Sequence, residues 1–288
     1  MDWRRRRENF RALMQSDICV HPASVYDPIS ARIAEHLEFE VGIFAGSVAS
    51  LTVLGAPDLL VLTLSEFAEQ AYRINRAAGV PLLVDADHGY GNALNVRRTV
   101  EELETAGVAA LTIEDTDLPQ PFGSLGSIQL LSLDEGVGKI KAALSARADT
   151  SLTIVGRTSA IPTMGLDEAI LRGKAYEAEG VDAMFYTGVS DKTEIEALAA
   201  ALDVPIFLGG SGEGILADRE YLISQNVRVS LQGHQSFRAA VQAAYTTLKL
   251  LREGTAPSQI PGQPSDNLMS ALTDDEQYQD WMREFLGD

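Results

Sequence analysis

Short uniformly apolar runs recur along this chain, and between them apolar positions return every three or four residues. The runs at residues 18–21, 41–45, 82–85, 109–114, 152–157, 182–187, 205–209 and 227–232 predict eight strands. Strands buried on both faces of a parallel sheet read this way. Helical spacing fills the intervals, at 65–78, 93–106, 135–146, 166–179 and 192–202. Three helix ends share one pattern, Ala78-Gly79-Val80, Ala106-Gly107-Val108 and Glu179-Gly180-Val181. A glycine just past a helix supplies the left-handed conformation that stops it. Strand and helix in regular alternation predict an α/β fold, a (β/α)8 TIM-type barrel over residues 1–253. A doubly wound open sheet is the alternative, but it would more often carry a glycine-rich phosphate loop after its first strand, and none is present.

Past Glu253 the pattern breaks into GTAPSQIPGQPSDN, and a short acidic helix is predicted at about 273–285. Residues 254–288 therefore read as a linker plus a C-terminal helical extension that packs on a neighbouring subunit or on the barrel's own surface.

Composition narrows the function. A net charge of −18 argues against a nucleic-acid partner, whose phosphates would be repelled. The one basic cluster, Arg4 to Arg7, reads as a solvated helix face or an intersubunit contact. No apolar run approaches the roughly 20 residues of a membrane span, and no export signal follows the basic cluster, so a cytoplasmic protein without a membrane partner is expected. The single cysteine, Cys19, allows no internal disulfide and reads as packing.

Barrel enzymes place their chemistry at the carboxyl ends of the strands. Those ends here carry Gly46-Ser47, Asp85-Ala86-Asp87-His88, Glu114-Asp115, Arg157-Thr158 and Gly233-His234, with Asp58 in the loop after the second strand. Strand alternation would put Asp85 and Asp87 on one side, where two carboxylates repel unless a cation sits against them or one is protonated. With Glu114 beside them, a hard divalent ion is indicated, Mg²⁺ or nearly as well Mn²⁺. Helix caps or surface ion pairs would also account for the acidic pair. Arg157 suits a bidentate substrate carboxylate, or equally a structural partner for Asp85, Asp87 or Glu114. His234 suits either a substrate contact or a hydrogen-bonded core position. His88 reads as structural, since Mg²⁺ does not favour imidazole.

The ordered set VYDPISARIAEHLEFE (25–40), FAGSVAS (44–50), VDADHGYGN (84–92), ALTIEDTDLP (110–119) and IVGRTSA (154–160) resembles the isocitrate lyase/PEP mutase superfamily. RVSLQGHQSF (228–237) is similar to the strand-eight ending of its oxaloacetate decarboxylase branch. The resemblance implies that Asp85 binds the metal directly, that Asp87 and Glu114 hold metal-bound waters, and that Asp58 lies near them. It implies that Ser47, with its own amide and that of Gly46, binds the carboxylate of a 2-oxo diacid. Arg157 and His234 would contact substrate. It further implies a homotetramer, a dimer of dimers that exchanges a C-terminal helix, and Mg²⁺-dependent conversion of oxaloacetate to pyruvate and CO₂ through a metal-stabilised enolate.

Lyases of the superfamily carry a mobile K-[KR]-C-G-H loop. Here the segment after Glu114, DTDLPQPFGSLGSIQLLSLDEG, holds no Cys, Lys or His. A C–C lyase acting on a substituted malate or a related 2-hydroxy or 2-oxo diacid is therefore the lesser reading, and a non-catalytic oxo-acid-binding barrel the least. Gly156, Ser159 and GGSGEG (209–214) depart from the decarboxylase pattern and bear on substrate choice.

Overall fold

A computed structural model describes residues 2–124 and 126–287. Eight parallel strands run in sequence order: β1 (Ala23–Ser24), β2 (Gly42–Ala45), β3 (Leu82–Asp85), β4 (Ala110–Glu114), β5 (Thr153–Thr158), β6 (Ala183–Tyr186), β7 (Ile206–Leu208) and β8 (Val227–Ser230). A parallel bridge from Val20 to Val229 joins the last strand to the start of the chain, closing the (β/α)8 barrel. The expected first strand at 18–21 is thus corrected: that run supplies only the bridge, and the strand that pairs with β2 is Ala23–Ser24. The other seven strands fall within two residues of expectation.

The helices are α1 (Trp3–Met14), α2 (Pro28–His36), α3 (Gly46–Ala49), α4 (Leu64–Ala77), α5 (Ala93–Thr105), α6 (Leu133–Ala146), α7 (Ala160–Met164), α8 (Leu166–Glu179), α9 (Lys192–Ala201), α10 (Arg219–Ser224), α11 (Gln235–Arg252), α12 (Asp266–Thr273) and α13 (Asp275–Leu286). None of the described helices is long and apolar enough to cross a membrane.

Two apolar layers follow from the strand period of two. Ile43, Leu83, Val155, Phe185, Phe207 and Val229 point inward, while Phe44, Leu82, Val84, Leu111 and Ile154 face the helices. Helix α1 packs against the inner layer through Phe10, Leu13 and Met14, and Phe10 meets Phe207 edge-on at 6.4 Å. The cluster Arg4 to Arg7 divides: Arg4 and Arg5 are exposed, as a solvated face would be, whereas Arg6 is half-buried and Arg7 turns inward. Arg7 is buried, with Nε donating to the Val108 carbonyl at 2.9 Å and Nη1 to Asp149 at 2.9 Å. Arg11 reaches Asp182 at 2.7 Å. These guanidiniums satisfy carbonyls at the amino ends of strands, a demand that charge counting does not reveal.

Of the three helix-ending glycines, Gly107 and Gly180 are left-handed, at φ 83° and 101°. Gly79 is not. There α4 leaves through extended Ala78, and Gly79 donates its N–H to Glu35 Oε1 at 2.7 Å, where a Cβ would collide with that same oxygen. Cys19 is buried, and burial pushes its thiol up to about 11, in keeping with packing.

The C-terminal extension holds two helices rather than one. Ser265 caps α12 by accepting from the Leu268 N–H at 3.2 Å, so the helix begins inside a stretch whose Ser and Asp read as loop. Asp274, at φ 53°, separates it from α13 and forms an ion pair with Arg32 of α2.

Candidate active site

The inward positions that make the core also make the site, one step further along each strand. Leu83 is followed on the same face by Asp85, Ala110 by Thr112 and Glu114, Val155 by Arg157, and Phe185 by Thr187. Strand register then sets the neighbours. Asp85 pairs with Thr112, Glu114 with Arg157, and Arg157 with Phe185. The result is a charged layer on top of an apolar barrel.

Asp85 accepts from Thr112 Oγ1 at 2.7 Å and from Arg157 Nη1 at 2.5 Å on both of its oxygens. Arg157 Nη2 lies 3.3 Å from Glu114, whose other contact is the Thr116 hydroxyl at 3.0 Å. Arg157 is therefore a partner of the acidic residues in this structure. Its side chain also lines the cavity, while its Nε–H is buried without an acceptor among the described residues. The Phe185 ring sits 5.4 Å from the guanidinium carbon, a cation–π contact that fixes the plane of the head group.

Asp87 reaches the cluster by another route than strand alternation. It lies past the end of β3, at φ 48°, in a turn continued by Gly89 at 77°, Tyr90 at 60° and Gly91 at 145°. Its carboxylate packs against the α-carbon of Gly46, where a Cβ would lie 2.1 Å from Oδ2. Only glycine admits that approach. Burial first, then the charges of Asp85 and Glu114, push the Asp87 carboxyl well above the usual range. Burial likewise raises Glu114 despite Arg157, and burial followed by the Asp85 charge raises Asp58. Arg157 is driven the other way: burial disfavours its charge, but Asp85, Glu114 and Asp87 raise its pKa further. Three carboxylates, Asp85, Asp87 and Glu114, thus surround one guanidinium, with Asp58 nearby, and the donor set is all oxygen. That chemistry fits a hard divalent cation. Among the described residues no three His, Cys, Asp or Glu side chains converge as a direct ligand cluster, so water or substrate oxygens would complete the shell of such an ion.

A cavity of about 370 Å³ opens beside this layer, lined by Ser47, Asp85, Arg157, Phe185, Thr187 and His234 among others. His234 bridges two serines: Nδ1 is 2.7 Å from Ser24 Oγ and Nε2 is 3.4 Å from Ser47 Oγ. Burial lowers its pKa, against the pull of Asp85 and Asp58. Asp58 lies on a loop outside the cavity lining and its residue surface is largely exposed, but it is near enough to feel the charges of Asp85, Arg157 and His234. His88 also lies elsewhere. It is buried, its carbonyl accepts from Lys139 Nζ at 2.8 Å, and burial next to Lys139 pushes its imidazole down to about 4.

Asp115 turns away from the cavity. Its Oδ2 accepts from Arg172 Nη1 at 2.9 Å and from the Tyr176 hydroxyl at 2.7 Å, all three side chains being buried. Asp115→Ala would leave the buried Arg172 guanidinium with Glu168 alone, at 2.8 Å, so a loss of about 3 kcal/mol, the low end for breaking a buried pair, is expected in urea unfolding, with turnover per folded molecule retained.

The departures from the decarboxylase pattern have local reasons. Gly156 leaves room for Met184 and Tyr176, which a Cβ would meet at 2.9 and 3.2 Å. The Ser159 hydroxyl bonds that of Thr187 at 2.8 Å. Gly209 and Gly210 line the cavity with bare backbone, and a Cβ on Gly209 would press on the Phe185 ring at 3.0 Å. The segment after Glu114 folds back on itself, with Asp117 donating its N–H to the Gln129 carbonyl and Leu131 to that of Asp115, each at 2.8 Å. Thr112, Phe185, Thr187 and Ser24 are site residues that the sequence reading missed. The first three could have been found by stepping two residues along each inward face.

The sequence profile described as phosphoenolpyruvate phosphomutase matches residues 10–252. An oxaloacetate decarboxylase of Rhodopseudomonas palustris (strain BisB18) is 58% identical over 273 residues, covering 95% of this chain and 94% of that protein. Another, from Bradyrhizobium sp. (strain ORS 278), is 54% identical over 287 residues, covering 100% and 99%. Among solved structures, a phosphonopyruvate hydrolase complexed with oxalate and Mg²⁺ superposes with a TM-score of 0.87 at 28% identity, covering 98% of this chain and 99% of the other. A profile spanning most of the barrel and near-full-length relatives above half identity agree: the chain belongs to the phosphoenolpyruvate phosphomutase family of the isocitrate lyase/PEP mutase superfamily, in the branch that holds the oxaloacetate decarboxylases.

Proposed function

We infer that this chain is a carboxy-lyase that converts oxaloacetate to pyruvate and CO₂. The observation that carries the inference is near-full-length identity of 54–58% to proteins named oxaloacetate decarboxylase, joined to a cavity that offers a guanidinium, an imidazole and a serine beside an acidic cluster.

Asp85 would hold a Mg²⁺ ion directly, or Mn²⁺ in its place, with Asp87 and Glu114 holding its waters and Asp58 at the rim. Bound there, the ion would act as a Lewis acid on the 2-oxo group of the substrate. Ser47 and the free amides at the start of α3 would bind the C1 carboxylate, since the first turn of a helix leaves its N–H groups without helical acceptors. His234 would orient the C4 carboxylate through Nε2. As the C3–C4 bond breaks, its electron pair moves into the enol system and negative charge grows on the C2 oxygen. Arg157, whose side chain lines the cavity, would stabilise that charge where it develops. CO₂ leaves, and C3 takes up a proton to give pyruvate.

No acid or base of the loop after Glu114 is required, which is why the substituted-malate lyase reading is not favoured. Product analysis separates the two: a retro-aldol lyase would split a substituted malate into a 2-oxo acid and a monocarboxylate, whereas a decarboxylase would release CO₂ from oxaloacetate. Oxaloacetate labelled with ¹³C is expected to yield pyruvate and CO₂ alone, whereas oxalate plus acetate would sink the assignment.

Residues 1–253 would form the catalytic barrel, and 254–288 an extension that packs on a neighbouring subunit of a homotetramer. Uncovered apolar side chains on α11 (Val241, Tyr245, Leu248) and α13 (Trp281, Met282, Phe285) support this. The buried, unpaired Cys19 asks for no oxidising compartment, in keeping with the cytoplasm.

A further inference from the structure

We propose that Ser24 is a positioning residue that holds His234 in the tautomer carrying its proton on Nε2, the nitrogen that faces the cavity. This rests on the reading of His234 as a donor to the substrate carboxylate.

Ser24 ends the two-residue strand β1, and its Oγ stands 2.7 Å from His234 Nδ1. The serine is itself fixed, because Ser236 Oγ donates to its backbone carbonyl at 2.7 Å. The opposite nitrogen, Nε2, points toward Ser47 at 3.4 Å and lies on the cavity side. A neutral imidazole has one donor and one acceptor nitrogen, and the bond made by one decides the role of the other. If Nδ1 carried the proton and gave it to Ser24, bare Nε2 would confront a substrate carboxylate lone pair to lone pair. With Ser24 donating into Nδ1, Nε2–H meets the carboxylate as a hydrogen-bond donor. The serine hydroxyl can serve either way, so the arriving carboxylate and Ser24 select the same tautomer. His234 is the N-cap residue of α11 but its ring makes no capping hydrogen bond, and the Ser24 contact is the shorter of the ring's two, 2.7 Å against 3.4 Å.

The experiment uses the Mg²⁺-loaded enzyme in five forms: parent, Ser24→Ala, Ser24→Thr, His234→Gln, and Ser24→Ala combined with His234→Gln. Turnover is measured with oxaloacetate, and the imidazole is observed by ¹⁵N NMR. Loss of the outer partner that orients a metal-bound imidazole typically costs about 10–100-fold, and the low end of that range suits an imidazole that only binds substrate. Ser24→Ala is accordingly expected to lower kcat about ten-fold and to raise the share of Nδ1–H tautomer. Ser24→Thr keeps the hydroxyl and should hold turnover within about two-fold of parent. On the His234→Gln background Ser24→Ala should cost nothing further, since it acts only through the histidine. Equal losses in the Ala and Thr variants, or a full additional loss in the double variant, would overturn the proposal. A strong His234→Gln defect with an unaffected Ser24→Ala enzyme would overturn the role of Ser24 alone. An unaffected His234→Gln enzyme would overturn both this proposal and the assignment of His234 beneath it.

Discussion

Replacing Asp85 with asparagine is expected to lower kcat by about 10³-fold, the several kcal/mol that a Lewis-acidic metal supplies. The amide is nearly the same shape and can still accept from Thr112 Oγ1, now at 2.7 Å. What it lacks is the charge that would hold a divalent ion. Mn²⁺ binding followed by electron paramagnetic resonance should disappear with turnover while circular dichroism stays that of the parent. Asp85→Ala should abolish turnover too, at an additional stability cost of about 3 kcal/mol. That is the low end for breaking a buried pair, because Glu114 remains 3.3 Å from Arg157. Metal binding and turnover that survive the loss of Asp85 would rule out its role as direct ligand.

Arg157→Gln should combine two effects that can be read separately. Turnover should fall by about 10²–10³-fold, as when a preorganised donor to a developing oxyanion is removed. Stability should fall by about 3–5 kcal/mol without metal, because Asp85 and Glu114 lose the buried guanidinium that now lies against them, at 2.5 and 3.3 Å. A bound cation would replace the missing charge, so thermal melts should show a larger gain on adding Mg²⁺ for the variant than for the parent. Ligand at about 100 times its Kd adds roughly 2.7 kcal/mol to the folded state, enough to see. Equal gains in the two proteins would mean that these carboxylates are not where the ion binds.

Most of the barrel was legible because its chemistry is periodic. An inward-facing strand position that is apolar at the bottom and acidic at the top, as Leu83 and Asp85 are, announces both core and site in one line of sequence. What stayed hidden was set by tertiary partners. The first strand is only Ala23–Ser24, too short and too polar to form a pattern, so Ser24 passed as loop. Asp87 was placed on the correct side by strand alternation, yet it stands there because of a left-handed turn and the bare α-carbon of Gly46. Arg7 looked like solvent charge because its acceptors, Val108 and Asp149, lie 101 and 142 residues away along the chain. Gly79 shares its neighbours' sequence but not their conformation, since Glu35 takes its N–H.

The most direct measurement is pyruvate release from oxaloacetate by the purified protein, with Mg²⁺ and then with EDTA, after subtracting the metal's own background catalysis. Fast release that the chelator abolishes and added Mg²⁺ restores is the predicted result. No release above background with Mg²⁺ present, or release indifferent to EDTA, would contradict a metal-dependent oxaloacetate decarboxylase.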